Sequence, residues 1–142
     1  MQEWALWALA SAVFAALTAI FAKVGLEGID SNFATFIRTL VIAAALVLFL
    51  TYAKKWQPLG ELSARNWLFL TLSGLATGAS WLAYFKALQI GSASQVAPID
   101  KLSVVLVVVF AVVFLGERPS AREWIGIALI ASGVFTLVFA DK

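Results

Sequence analysis

Apolar and charged positions fall in long alternating blocks along this chain. Between Glu3 and Lys23 lie 19 uncharged residues (4–22), enough for one bilayer crossing at about 1.5 Å of helical rise per residue. A second apolar stretch, 33–53, is interrupted only by Arg38. A third, 66–85, holds 20 uncharged residues between Arg65 and Lys86. A fourth, 95–115, contains Asp100 and Lys101 near its start, and a fifth, 124–140, has 17 uncharged residues between Glu123 and Asp141. Strands of a membrane barrel need only about ten residues and alternate in polarity. Residues 104–115 are apolar throughout, so the pattern predicts helices. The expected fold is all-α: one domain, 1–142, forming a polytopic bundle of five transmembrane helices at about 4–26, 33–53, 66–86, 95–115 and 121–140.

The connectors agree with this division. Ser120-Ala121-Arg122-Glu123 reads as a capping box, in which the Ser and Glu side chains satisfy each other's backbone N–H groups. Pro119 stops the preceding helix, and Gly116 suits a left-handed C-cap. Ser92-Ala93-Ser94-Gln95 can cap the fourth helix in the same way. The longest polar stretch, 54–66 with Pro58 and Gly60, is too short to fold separately, which places any function inside the bundle. The first apolar stretch follows Gln2-Glu3, not a basic n-region, and four more stretches come after it. It is therefore expected to be a retained helix, not a signal peptide.

Composition fixes the solvent. Of 142 residues, 63% are hydrophobic and 13% charged, with mean hydropathy +0.97, whereas a soluble domain carries roughly a quarter charged residues. The lipid bilayer is the expected partner. A net charge of +2, with basic residues at segment ends, argues against nucleic acid. Cysteine and histidine are absent, removing thiolate ligands and the commonest ligand for zinc, copper or iron; no metal or cofactor is expected. No Ser lies beside a plausible base, and no acid pair or phosphate loop is visible, so an enzyme is not expected.

Lys and Arg near helix ends set orientation. Lys54, Lys55, Arg65, Arg118 and Arg122 share the face with the N-terminus; Lys23, Lys86 and Lys142 lie on the other, with Arg38 and Lys101 just inside the membrane. The small bias favours a cytoplasmic N-terminus in an inner (plasma) membrane and leaves dual orientation open.

Charges inside the spans point to function. A central Arg costs roughly 3 kcal/mol on insertion scales, and each Leu, Ile, Phe or Val returns about 0.3–0.6 kcal/mol. The second stretch has eleven such residues, so it inserts, and Arg38 should then face the bundle interior or a wet cavity. Lys23 and Lys86 read most simply as snorkelling to the interface. Arg38 and Asp100 read either as an ion pair between helices or as a polar vestibule for a solute. Asp100 and Lys101 are adjacent, which predicts that they face apart on a helix. Pro98 cannot offer an N–H to the Ser94 carbonyl, leaving an acceptor near Asp100. On the third stretch Gly74, Thr77, Gly78, Trp81 and Tyr84 recur at three- and four-residue spacing. They form either a solute-lining face or a close-packing face with interfacial aromatics. Small-residue stripes on the first stretch (Ala8, Ala12, Ala15, Ala19) and the fifth (Gly126, Ala128, Ser132, Gly133) suggest helix packing.

The stretch FLGERPSAREWIGIALIASGV (114–134) resembles the end of a repeat in the EamA family of the drug/metabolite transporter superfamily. WLAYFKAL (81–88) and GSASQVAP (91–98) resemble the matching part upstream. The resemblance implies a five-helix repeat. Most relatives carry two repeats, inverted relative to each other, around a central cavity for metabolites; this sequence carries one. It departs from the family pattern at Asp100-Lys101, where the repeat is usually neutral, and in lacking a proline between positions 102 and 106. Both departures touch the expected cavity, so no family substrate is carried over.

The combined expectation is a secondary transporter for a small-molecule metabolite, its cavity lined by Arg38, Trp81, Tyr84 and Asp100. Arg38 would bind an anionic group, Trp81 and Tyr84 would contact the solute by stacking and hydroxyl hydrogen bonds, and Asp100 would orient Arg38 or take up a proton. A single repeat suggests a homodimer, antiparallel if orientation is dual, with parallel and monomeric states left open. The rival expectation is a non-transporting membrane assembly or structural subunit.

Overall fold

The computed structural model describes residues 3–139. The described residues contain no strand and form α1 (Glu3–Gly25), α2 (Ser31–Ala53), α3 (Ala64–Ile90), α4 (Ala93–Asp100), α5 (Leu102–Phe110) and α6 (Ala121–Phe139). Five stretches are long and apolar enough to cross a membrane: α1, α2, α3, Ala93–Leu115 and α6. At 19 to 27 residues each, they rise about 28 to 40 Å, against a hydrocarbon core of about 30 Å. The protein is a multi-pass, all-helical membrane protein, as the block pattern predicts. Ala140, the expected last residue of the fifth helix, and Lys142, counted in the charge balance, lie outside the described residues.

Local chemistry sets the ends. The Asp30 carboxylate accepts from the N–H groups of Asn32 (2.9 Å) and Phe33 (3.1 Å), so α2 starts at Ser31, two residues before its apolar run. At its other end Lys54 takes a left-handed conformation (φ 52°) and donates back to Leu50 and Thr51. The Lys55 N–H closes onto the Leu50 carbonyl at 3.1 Å, completing a Schellman motif. The capping box before α6 forms: the Ser120 N–H donates to the Glu123 carboxylate at 2.6 Å and Glu123 N–H to Ser120 Oγ at 3.4 Å. Ser92 also precedes its helix, but its hydroxyl donates to the Gln95 side chain at 2.6 Å and makes no cap bond to the backbone.

The fourth span is not one continuous helix. It turns at Lys101, between α4 and α5. Here Lys101 N–H bonds the Pro98 carbonyl and Val104 N–H the Lys101 carbonyl, both at 3.0 Å. These tighter three-residue closures follow a proline that cannot complete the ladder. The span then widens into a π turn, Ala111–Leu115, ended by Gly116 at φ 68°, a conformation that glycine adopts without a Cβ penalty.

The described residues up to Ile90 form one compact unit and those from Gly91 a second. In the first, α3 packs against both α1 and α2, burying Ala19, Leu26, Ala34, Phe85 and Leu88 together with Ser31 and Thr35. In the second, α4 and α5 each pack on α6, and Val134 is buried. Large side chains such as Trp7, Phe14, Leu48 and Phe114 point outward, which suits lipid as solvent. Three threonine hydroxyls within the spans are satisfied by their own helix: Thr35, Thr39 and Thr77 each donate to the carbonyl four residues back at 2.8 to 2.9 Å. The small-residue stripes play little part inside the units. Of the alanines on α1 only Ala19 is buried, and a Cβ added at Gly74, Gly78, Gly126 or Gly133 would meet nothing within 4 Å in its own unit.

Candidate functional site

The site is built where α2 meets α3. Arg38 lies in the second turn of α2 and is only partly exposed. A guanidinium here needs a partner that lipid cannot supply. Its central carbon lies 4.0 Å from the centre of the Trp81 ring and 5.2 Å from that of Phe85. Trp81 and Phe85 are four residues apart on α3 and so share a face. The aromatic faces carry negative charge density, and such contacts strengthen as water is withdrawn. Tyr84, three residues after Trp81, lies on the same side of α3 and is half-buried. None of the guanidinium's N–H donors finds an acceptor among the described residues.

Arg38 also borders a cavity of about 430 Å³. Thr18, Phe21 and Gly25 of α1, Ala34 and Val41 of α2, and Phe85 of α3 contribute to its wall. Among the described residues, Arg38 and Thr18 are the polar side chains on its wall.

Three of the four expected site residues thus come together within the first unit: Arg38, Trp81 and Tyr84. Asp100 lies in the second unit, where its carboxylate accepts from Lys101 at 3.2 Å. This corrects the expectation that the two face apart. Neighbours on a continuous helix diverge by about 100°, but the helix turns at Lys101 and lets the ammonium fold back.

Lys23 and Lys86 do more than snorkel. Lys23 Nζ donates to the Leu88 carbonyl at 2.6 Å, satisfying an acceptor in the last turn of α3. Lys86 Nζ donates to Gln89 Oε1 at 3.3 Å, and Gln89 Nε2 to the Ile29 carbonyl at 2.9 Å, tying α3 to the turn between α1 and α2. Here α3 runs to Ile90, four residues past its expected end, so Lys86 lies within α3 and Lys23 reaches its last turn.

Phe85 and the α1 wall were not singled out in the sequence. Phe85 is 2% exposed, and its four-residue spacing from Trp81 is the signal that could have found it. The α1 wall carries no such signal, because Thr18, Phe21 and Gly25 look like any lipid-facing turn.

The comparisons with known proteins fit this architecture. Residues 2–139 match the EamA-like transporter family. An uncharacterized transporter in the cobO 3'region of Sinorhizobium sp is 56% identical over 136 residues, covering 96% of each chain. The uncharacterized transporter YxxF of Bacillus subtilis is 29% identical over 135 residues, which are 94% of this chain but 42% of that protein. No solved structure matches. With nearly its whole length matched and five apolar helices to carry it, the chain belongs to the EamA-like transporter family.

Proposed function

We propose that the protein is a secondary transporter that moves a small metabolite across the plasma membrane, its two units acting as one transmembrane domain. The observation that carries this reading is Arg38. A cation inside an apolar span, stacked on Trp81 and bordering a cavity, is costly and unexplained by packing alone. Arg38 anchors the solute, and Trp81 and Tyr84 flank it, while Asp100, held by Lys101 in the second unit, is a transport residue of that unit. No group among these is a nucleophile with an adjacent base, which supports transport over catalysis.

The working form is a homodimer of single repeats, in opposite orientations. Three observations support this: a small cation bias between the two faces, a Bacillus relative of which this chain spans about two fifths, and glycines on α3 and α6 with open space beside them.

The test is solute flux in proteoliposomes across a broad metabolite panel. The wild type is expected to move at least one solute, with Arg38→Ala and Asp100→Asn reducing flux about tenfold or more, or roughly 1.4 kcal/mol. A protein that folds and moves nothing would instead be an assembly subunit whose charges only tie helices together.

A further inference from the structure

Resting on the proposed transport site, the geometry points to the class of its solute: we infer that the cavity beside Arg38 takes a small organic anion, a carboxylate joined to an apolar body. Three features lead there. Trp81, 4.0 Å from the guanidinium carbon, meets the charge with its ring and offers no acceptor to the planar edge of N–H donors. That edge has no acceptor among the described residues. Its fork matches the two oxygens of a carboxylate, which it can bind bidentately, and such pairs are among the stronger hydrogen bonds.

The second feature is the wall. Phe21, Ala22, Ile29, Ile37, Val41 and Phe85 present carbon to the cavity, and among the described residues Thr18 is the one other polar side chain on it. A sugar or polyol entering this space would find few partners for its hydroxyls along the wall, which favours a solute with an apolar body. An aliphatic or aromatic body loses nothing. The volume, about 430 Å³, lies toward the low end of small-molecule pockets, roughly 300–1,000 Å³.

The third feature is charge. Among the described residues no carboxylate lines the cavity, so within this unit an ammonium solute would meet the charge of Arg38 without an acid on the wall to offset it. Asp100, the nearest acid in the sequence to a membrane interior, is engaged by Lys101 within the second unit. The remaining source of the same chemistry is an anionic lipid, whose headgroup could reach Arg38 and whose chain could fill the cavity.

The experiment is calorimetric titration of the full chain in nanodiscs of zwitterionic lipid. The probes are 3-phenylpropionate, its amide, 3-phenylpropylamine, acetate and gluconate. The carboxylate with the phenyl body is expected to bind tightest, with the amide, acetate and gluconate about tenfold or more weaker and the amine not binding. Equal binding of the amide, the amine or gluconate overturns the inference. So does loss of 3-phenylpropionate binding when phosphatidylglycerol is added to the disc, since the site would then belong to a headgroup.

Two variants locate the site. Arg38→Lys keeps the charge but loses the fork and is expected to weaken 3-phenylpropionate about tenfold. Ala22→Leu narrows the cavity and should weaken 3-phenylpropionate while sparing acetate. If the Arg38 variant fails to fold, Ala22→Leu and the wild-type probe series decide. Unchanged 3-phenylpropionate binding in a folded Ala22→Leu protein counts against the cavity. Binding without flux would refute transport and leave this inference standing. Flux of a sugar or cation that 3-phenylpropionate does not inhibit would do the reverse.

Discussion

Single residues in this protein carry unequal burdens, because lipid offers no hydrogen bonds. Arg38 is stabilised by aromatic faces and Lys23 by a helix-end carbonyl, and each solution answers a charge near or within the membrane. Ser31 is the exception. It is 1% exposed and its hydroxyl oxygen has no partner among the described residues, while Thr35 on the next turn donates to the Ser31 carbonyl. An unmet buried hydroxyl costs about 1–3 kcal/mol. Ser31→Ala removes it without touching the Asp30 cap and is expected to raise stability by about 1 kcal/mol. Denaturant titration in detergent, or a shift in melting temperature, measures this. A loss of stability would mean that the hydroxyl has a partner after all.

At the scale of elements, the fourth span differs most from a plain helix. Pro98 removes one rung, Lys101 turns, and a π segment follows before Gly116. Proline in a helix interior costs about 3 kcal/mol, and its presence here allows Lys101 to reach Asp100. Pro98→Ala is therefore expected to straighten the span through Lys101 and separate the pair. Backbone amides near Ser94 to Val104 should then exchange more slowly, which hydrogen-exchange mass spectrometry reads directly. Unchanged exchange would locate the cause of the break elsewhere. The cap at Ser120 is the opposite kind of element feature, local and legible. The Ser-x-x-Glu spacing alone names both hydrogen bonds, because a capping box needs only residues within one turn.

For the whole molecule, orientation rests on few charges. Five cations mark one face in the sequence and three the other, before Arg38 and Lys101 are counted. This difference is expected to leave both topologies populated. Cysteines placed near each terminus should then be labelled from both sides of the membrane by an impermeant reagent. Adding three lysines before the first span should move the population to a cytoplasmic N-terminus. Labelling of each terminus from a single side in the unaltered protein would exclude an antiparallel dimer and leave a parallel one or a monomer.

What the sequence determined by itself is the part of the fold that lipid imposes locally. Each span must satisfy its own backbone, so the number of spans, their approximate ends and the caps at Gly116 and Ser120 follow from residues near one another in the chain. The positions of Arg38 and Trp81 as candidates were legible for the same reason: a cation in an apolar run is anomalous wherever it sits. Only the tertiary structure decided that Arg38 rests on Trp81 and Phe85, that Lys23 bonds Leu88 sixty-five residues away, and that α1 walls the cavity. In a chain whose helices are apolar on nearly every side, periodicity does not say which face meets a neighbour and which meets lipid, and only packing makes that choice.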